Sequence, residues 1–114
     1  MSPIGRQGEN LACQFLARRG YRIISRNFRG SGGEIDIVAQ KDNTLYFIEV
    51  KTSASADFGY PEQRITEQKK TRLLRTAREF LKAFPQQDLE KVFSAVSVLR
   101  LRGRWHIETF HDII

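Results

Sequence analysis

The stretch Gly33-Glu34-Ile35-Asp36-Ile37-Val38-Ala39-Gln40, followed closely by Thr44-Leu45-Tyr46-Phe47-Ile48-Glu49-Val50-Lys51-Thr52, decides the fold. Both segments are rich in β-branched and aromatic residues, which is typical of strands. Only Lys41-Asp42-Asn43 separates them, a length and composition that favour a tight turn. We therefore predict an antiparallel hairpin at the centre of the domain.

Further helices and strands are predicted on both sides of this hairpin. Apolar residues recur at helical spacing before Gly20 and again before Pro85, and short β-rich segments fill most of the remaining chain. The predicted elements are a helix over 5–19, strands over 21–28, 34–40 and 44–52, a loop over 53–62, a helix over 63–84, and strands over 91–101 and 104–110. The order αβββαββ predicts an α/β fold with a mixed central sheet flanked by helices.

Length and composition indicate one soluble domain. With 114 residues, 40% of them hydrophobic, the chain has the size of a single domain over 1–114 with a real core. Its one cysteine, Cys13, cannot form an internal disulfide and is expected to act as a small buried hydrophobe in a reducing compartment. No stretch approaches the roughly 18 apolar residues of a membrane span or resembles a signal peptide. We expect a cytoplasmic protein with no membrane partner.

The charge is unevenly distributed along the chain. The net charge of +6 divides into basic segments over 1–31 and 63–82, at +5 each, and an acidic segment over 32–62, at −4. A metal-binding acidic site framed by phosphate-binding surfaces produces such a pattern, and so does ordinary segregation of surface charge. A polyanion, most simply a nucleic acid, is the leading partner class.

The predicted hairpin contains the residues that carry chemistry. Alternation along a strand places Glu34, Asp36 and Val38 on one face, with Ile35, Ile37 and Ala39 on the other, and also pairs Glu49 with Lys51. Two carboxylates that converge against an apolar sheet need a cation, and Mg²⁺ or Mn²⁺ suits carboxylate oxygens and water. Lys51 would then orient an attacking water or stabilise charge on phosphorus, with Glu9 of the first helix as an outer ligand or a hydrogen-bond partner.

Each of these features also has a simpler interpretation. A lone Glu-x-Lys in a strand is usually an exposed ion pair, but its combination with Asp36 in a basic α/β domain favours a site. Arg26, Arg29 and the glycines over 30–33 would approach a nucleic-acid backbone, or the glycines would simply form a turn. The second predicted helix exposes basic residues that either grip phosphates or are merely solvated, namely Lys70, Arg72, Arg75, Arg78 and Lys82. His106 and His111 are expected to have surface or packing roles.

Five short motifs, spread over most of the chain, carry a resemblance to a known family. They are Gly5-Arg6-Gln7-Gly8-Glu9, Gly20-Tyr21, Asn27-Phe28-Arg29, Gly33-Glu34-Ile35-Asp36 and Phe47-Ile48-Glu49-Val50-Lys51. Together they resemble the YraN-like family of uncharacterised bacterial proteins, which is similar in turn to archaeal Holliday junction resolvases and to the restriction-endonuclease-like (PD-(D/E)xK) superfamily. The chain departs from the family pattern at Thr52, where the family commonly has Arg, and at Val92-Phe93-Ser94, where it usually has Arg-Phe-Asp.

The resemblance implies a restriction-endonuclease-like fold and metal-dependent hydrolysis of phosphodiester bonds. It matches Asp36 and Glu49 to metal-binding carboxylates, Lys51 to a catalytic lysine and Glu9 to an acid of the first helix. It adds the backbone carbonyl of Val50 as a metal ligand. It also implies that Gln68 and Lys69, at the start of the second long helix, form a supplementary polar pair. Branched DNA as the substrate, and a homodimer with two sites, follow from the resemblance alone.

Three functional hypotheses follow. The first is a Mg²⁺- or Mn²⁺-dependent DNA endonuclease, selective for branched or junction structures. The second is a catalytically inactive nucleic-acid-binding module with the same fold. The third is a regulatory subunit of a larger complex, for which a stable protein partner would be diagnostic.

Overall fold

The computed structural model of the protein describes residues 3–54, 66–85 and 88–114. Their order along the chain is helix, three strands, helix and two strands. The elements are α1 (Pro3–Arg18), β1 (Arg22–Gly30), β2 (Gly33–Lys41), β3 (Thr44–Ser53), α2 (Glu67–Ala83), β4 (Glu90–Leu101) and β5 (Arg104–His111). Most of the predicted loop over 53–62, and positions 63–65 of the predicted second helix, lie outside the described residues.

Local sequence signals account for the ends of both helices. Gly20 adopts φ +89°, in the left-handed region, and Tyr21 donates its backbone N–H to the Leu16 carbonyl at 3.0 Å. This closes α1 where the glycine predicted its end. Thr66 caps α2, because its side-chain oxygen accepts a hydrogen bond from the backbone N–H of Lys69 at 3.2 Å. Within the described residues, no helix is both long and apolar enough to cross a membrane.

The strands form one five-stranded mixed sheet in the spatial order β1-β2-β3-β4-β5. β3 and β4 are parallel, and every other neighbouring pair is antiparallel. A parallel pair needs a long crossover, and the segment containing α2 provides it. The predicted α/β class, mixed sheet and central β2–β3 hairpin are confirmed. The predicted turn at Arg102 and Gly103 is confirmed too, with φ values of +51° and +74°.

The two helices lie on opposite faces of the sheet and define two halves of the core. On the face that packs against α1, here called the α1 face, the buried residues are Ala12, Leu16, Ile37, Ala39, Ile48, Val96 and Val98. On the other face, here called the α2 face, they are Ile35, Val38, Leu45, Phe47, Ala77 and Phe80. Cys13 is half-buried against the first cluster, as expected for a small hydrophobe.

The simple alternation predicted for β2 is wrong at Asp36. Ile35 belongs to the α2 face and Ile37 to the α1 face, although residues two apart in a regular strand share a face. Neighbouring β1 switches at the same level: Phe28 contacts Phe80 of α2, whereas Arg26 bonds to α1. The residue between them, Asn27, has φ +55°. This left-handed residue, tolerated by Asn, reverses the side-chain direction of β1 at the level of Asp36.

Candidate active site

β2 and β3 separate where the predicted acidic residues lie. Their ladder ends at the pair Ile37 and Ile48, so Asp36 and Glu49 occupy the next position of the same register without being paired. The Asp36 carboxylate instead accepts a hydrogen bond from the backbone N–H of Val50 at 2.7 Å. Asp36 therefore lies where the two strands separate, close enough to Glu9 of α1 and Glu49 of β3 for their charges to act on it.

Glu49 faces α2, because Leu45 and Phe47 of the same strand lie in the α2-face core. One oxygen, Oε1, accepts a hydrogen bond from Lys69 Nζ at 2.7 Å. The other, Oε2, is buried without any hydrogen-bond partner. Lys51 follows two residues later on the same face and is half-buried. The site thus contains a carboxylate oxygen that is shielded from water and unsatisfied, next to a lysine.

Glu9 reaches this region from α1 and is fixed by β1. It is 2% exposed, and its carboxylate accepts hydrogen bonds from Arg26 Nη2 at 3.0 Å and Asn27 Nδ2 at 3.1 Å. Asn27 Nδ2 also donates to Glu34 Oε1 at 2.9 Å, and so links two carboxylates. The left-handed Asn27 that redirects β1 is therefore also the residue that holds Glu9 and Glu34 together.

The close packing of α1 on β3 brings Glu9 to this position. Gly8 is buried, and a Cβ atom added there would collide with the side chain of Thr52. Only glycine lets the helix approach the strand so closely. Gly8 thus allows α1 to pack closely on β3, and this close packing places the carboxylate of the next residue, Glu9, beside the site.

Burial and nearby negative charge raise the pKa of Asp36 to about 6, from an ordinary value of 3.8. Burial is the largest cause, and the negative charges of Glu9, Glu49 and Glu34 act in the same direction, while the Val50 amide opposes them. The three flanking carboxylates come from α1, β2 and β3. The protein thus concentrates negative charge at the gap between β2 and β3 despite a positive overall charge.

A cleft of about 400 Å³ opens beside these carboxylates, between the β1–β2 turn and the start of α2. Its lining includes Glu34 and the three predicted substrate contacts Gln68, Lys69 and Arg72. The turn approaches α2 at Gly32, where an added Cβ would lie 2.5 Å from the Arg72 carbonyl oxygen. The close approach of the turn to α2 therefore explains why position 32 is glycine.

Sequence comparison places the chain in a family. A family model described as uncharacterised protein family UPF0102 matches residues 8–101. The chain therefore belongs to the UPF0102 family. It is 45% identical to a UPF0102 protein of Prosthecochloris aestuarii over 84% of this chain and 76% of the relative. The corresponding values are 43%, 89% and 88% for Syntrophomonas wolfei, and 34%, 96% and 93% for Persephonella marina. The resemblance of the motifs to an uncharacterised bacterial family is thereby confirmed.

The donor set of this UPF0102 chain fits a hard divalent cation that keeps much of its water. Asp36 and Glu49 supply carboxylate oxygens, including the unsatisfied Glu49 Oε2. Within residues 3–54, 66–85 and 88–114, no three His, Cys, Asp or Glu side chains form a preformed ligand group. Mg²⁺ uses one or two carboxylates and retains several waters, whereas structural Zn²⁺ needs four protein ligands. Asp36 and Glu49 are therefore the residues of this region whose oxygens could hold such an ion.

The remaining predicted residues of the UPF0102 chain lie on β1, α2 and β3. Arg26, predicted to contact nucleic acid, also donates to Asn10 Oδ1 at 2.7 Å and so braces Glu9 on α1. Arg29 is 86% exposed and lies 3.5 Å from Glu34. Arg75 is exposed on α2, and Lys70 is half-buried there. The predicted Val50 ligand lies in β3, where its N–H is directed to Asp36.

Both histidines of the UPF0102 chain lie in β5, outside the carboxylate cluster. His111 Nδ1 shares a hydrogen bond with Ser94 Oγ at 2.7 Å, and its ring contacts Tyr46 on the α1 face.

Sequence reasoning missed Glu34 and Asn27 as members of the site. The predicted alternation had already placed Glu34 beside Asp36, so that signal was present. No signal indicated that Asn27 would be left-handed.

Proposed function

We propose that this protein is a Mg²⁺- or Mn²⁺-dependent endonuclease that hydrolyses phosphodiester bonds in DNA. One observation carries the proposal: four carboxylates from α1, β2 and β3 converge, with Asp36 raised to a pKa of about 6 and Glu49 Oε2 buried without a partner. A folded protein maintains such repulsion at a cost in free energy. The cost is explained if the site exists to hold a cation beside a phosphate.

Each residue then has a distinct role. Asp36 and Glu49 would hold the ion, with the Val50 carbonyl as a further donor. A bound ion would supply Lewis-acid activation of water and neutralise charge on the phosphate. Lys51 would donate hydrogen bonds to the attacking water or to a phosphate oxygen. Glu9, held by Arg26 and Asn27, adds negative charge on the α1 side and strengthens the attraction for the ion without touching the substrate.

The nucleic-acid surface is proposed around the cleft. Gln68, Lys69 and Arg72 line it, and Arg75 and Lys70 continue along α2. Arg29 stands at the opposite side on β1, with its side chain 86% exposed. Basic side chains on both sides of an acidic centre would position a polyanion and make its binding strongly dependent on salt. Selectivity for branched DNA, and a homodimer that cuts two strands, remain the finer parts of the proposal.

The direct test is cleavage of fluorescent junction, flap, single-stranded and duplex DNA with Mg²⁺, Mn²⁺ or EDTA. Asp36→Asn and Lys51→Gln should each reduce cleavage at least roughly a hundredfold, the scale for loss of a catalytic electrostatic group. The matched control is Glu108→Gln, which removes an exposed carboxylate from β5. Cleavage that survives both site substitutions would sink the nuclease assignment.

The two alternatives predict different outcomes from the same preparation. A binding module would retain salt-dependent DNA binding in Asp36→Asn and show no cation binding by calorimetry. A regulatory subunit would show neither activity and would instead copurify with a defined protein partner. Sedimentation with and without a junction would decide whether two copies are needed.

A further inference from the structure

Ser97 is a second buried oxygen that stands without a partner. In the part of the chain that the structure describes, only Glu49 Oε2 and Ser97 Oγ are buried side-chain polar atoms with no hydrogen bond. Ser97 is 0% exposed. Folded proteins leave few such groups, and leaving one unsatisfied costs free energy. A functional explanation is needed for a hydroxyl placed in β4 at this cost.

The sheet register places Ser97 directly beside Lys51. β3 and β4 are parallel, and Lys51 is paired with Ser97 just as Glu49 is paired with Ala95. Val96 and Val98 belong to the α1-face core, so Ser97 between them is directed to the α2 face. Lys51 has the same direction. The two unsatisfied oxygens therefore lie on the face that carries the site, one preceding Lys51 in β3 and one beside it in β4.

We propose that Ser97 is a positioning residue for Lys51, with its hydroxyl oxygen accepting a hydrogen bond from the Lys51 ammonium. The expected effect of Ser97 on catalysis rests on the proposed nuclease function, whereas its hydrogen bond to Lys51 does not. Ser97 Oγ has no hydrogen-bond partner among the described residues, and rotation of the flexible Lys51 stem would bring a donor to it. A lysine ammonium has three donors. One donor bonded to Ser97 leaves two for water and phosphate, and fixes a side chain that would otherwise sample many rotamers.

Ser94 provides a matched control in the same strand. Both serines are 0% exposed, but Ser94 Oγ bonds to His111 Nδ1 on the α1 face and is remote from the carboxylates. The variants are Ser97→Ala, Ser97→Thr as a hydroxyl-retaining rescue, and Ser94→Ala. Two measurements are made on each: kcat and KM for DNA cleavage, and the ¹H–¹⁵N signal of the Lys51 ammonium, assigned through Lys51→Arg and recorded with and without Mg²⁺.

Ser97→Ala should lower kcat roughly tenfold with KM nearly unchanged, the scale of one hydrogen bond to a charged group. The Lys51 ammonium signal should broaden or vanish, because its protons exchange faster with water. Ser97→Thr should restore both, and Ser94→Ala should alter neither. An unchanged Lys51 signal in Ser97→Ala, or equal effects from Ser94→Ala, would overturn the proposal. If the wild type cleaves no DNA, the nuclease function fails, and the ammonium signal alone still decides whether Ser97 holds Lys51.

Discussion

The carboxylate of Asp36 accepts a hydrogen bond from the backbone N–H of Val50 at 2.7 Å, in place of a backbone carbonyl of β2. The β2–β3 ladder ends at Ile37 and Ile48, two residues before Val50, so this amide would otherwise lose its partner in a partly buried gap. A single side chain thus supplies the hydrogen bond that the separated strands do not. Asp36 thus has two roles, a hydrogen bond to the Val50 amide and a negative charge for a cation, and substitutions at Asp36 should separate them.

Asp36→Asn should stabilise the protein while abolishing cleavage. The pKa of Asp36 rises from 3.8 to about 6 on folding, so its charged form is disfavoured in the native state. The cost is absent below pH 3.8, grows between 3.8 and about 6, and is complete above that. An Asn can still accept from Val50 without carrying charge. After allowance for solvent screening, we expect a gain of about 2 kcal/mol at pH 7.5.

Urea unfolding of both proteins from pH 4 to pH 8, in EDTA, measures this difference. The gain from Asp36→Asn should shrink as the pH falls and disappear near pH 4. Asp42→Asn, in the exposed β2–β3 turn, serves as the control and should show no comparable trend. A gain that is independent of pH would refute electrostatic repulsion as its cause.

Divalent cations should stabilise the wild type through the same carboxylates. A ligand that binds only the folded state at one hundred times its Kd adds about 2.7 kcal/mol, which corresponds to several degrees in Tm. We expect Mn²⁺ and Mg²⁺ to raise Tm, Ca²⁺ to do so less, and Glu49→Gln or Asp36→Asn to remove the effect. Thermal unfolding across a Mn²⁺ titration provides the measurement. A Tm increase of the same size in Glu49→Gln would place the ion elsewhere.

Much of the fold was readable in the sequence because its signals are local. The β2–β3 hairpin follows from strand-forming residues around a short polar turn, and the end of α1 follows from Gly20. Asp36 and Glu49 were recognisable as candidate site residues because a charge in an apolar strand costs free energy unless a partner compensates for it. The spatial order of the strands was not predicted, since it depends on which edges pair across long stretches of chain.

The finer arrangement of the site depends on contacts that no single segment encodes. Asn27 reverses the side-chain direction of β1 through a left-handed φ, a conformation that Asn tolerates but does not require, so Arg26-Asn27-Phe28 does not predict it. Arg26 was predicted to contact nucleic acid, and its bond to Glu9, seventeen residues earlier in the chain, was not predicted. Such long-range pairs arise only when α1 has packed on the sheet.

Lys69→Met should change the affinities for cation and DNA in opposite directions. Its ammonium lies 2.7 Å from Glu49 Oε1 and competes with an ion for that carboxylate. Removing a unit charge from a partly exposed position should tighten Mn²⁺ binding roughly fivefold. DNA binding should weaken, because Lys69 lines the cleft, while stability should fall by less than about 1 kcal/mol. Calorimetry for Mn²⁺ and fluorescence anisotropy for DNA provide the two values.

Lys82→Met controls for the loss of charge, since Lys82 is exposed in the last turn of α2. It should leave Mn²⁺ affinity unchanged. If both variants change the Mn²⁺ affinity equally, Lys69 does not compete with the ion for the Glu49 carboxylate.

The exposed basic face of α2 should determine the salt dependence of DNA binding. Arg72→Glu and Arg75→Glu should each reduce the slope of log Kd against log salt concentration by about 1, the effect of one lost phosphate contact. Arg18→Glu makes the same change in net charge at the end of α1 and should leave the slope almost unchanged. Anisotropy titrations over several salt concentrations test this. Equal slopes for all three variants would mean that net charge alone, and not α2, attracts DNA.

Gly8→Ala should disrupt the site by moving α1 away from β3. The added Cβ would collide with Thr52, and overpacking of a buried contact costs about 1–3 kcal/mol. Glu9 follows Gly8 in the helix, so its hydrogen bonds with Arg26 and Asn27 should lengthen and Mn²⁺ affinity should fall. Thr52→Ala removes most of the colliding atoms. It should therefore recover a large part of both stability and affinity when combined with Gly8→Ala.

A double-mutant cycle separates this coupling from helix propensity, because Ala favours a helix more than Gly by about 1 kcal/mol wherever there is space. The two substitutions contact each other and should deviate from additivity by roughly 1 kcal/mol or more. Urea unfolding and Mn²⁺ calorimetry are measured on all four proteins. Additive effects would show that Gly8 does not act through Thr52, and the position of Glu9 would then have to depend on Arg26 and Asn27 alone.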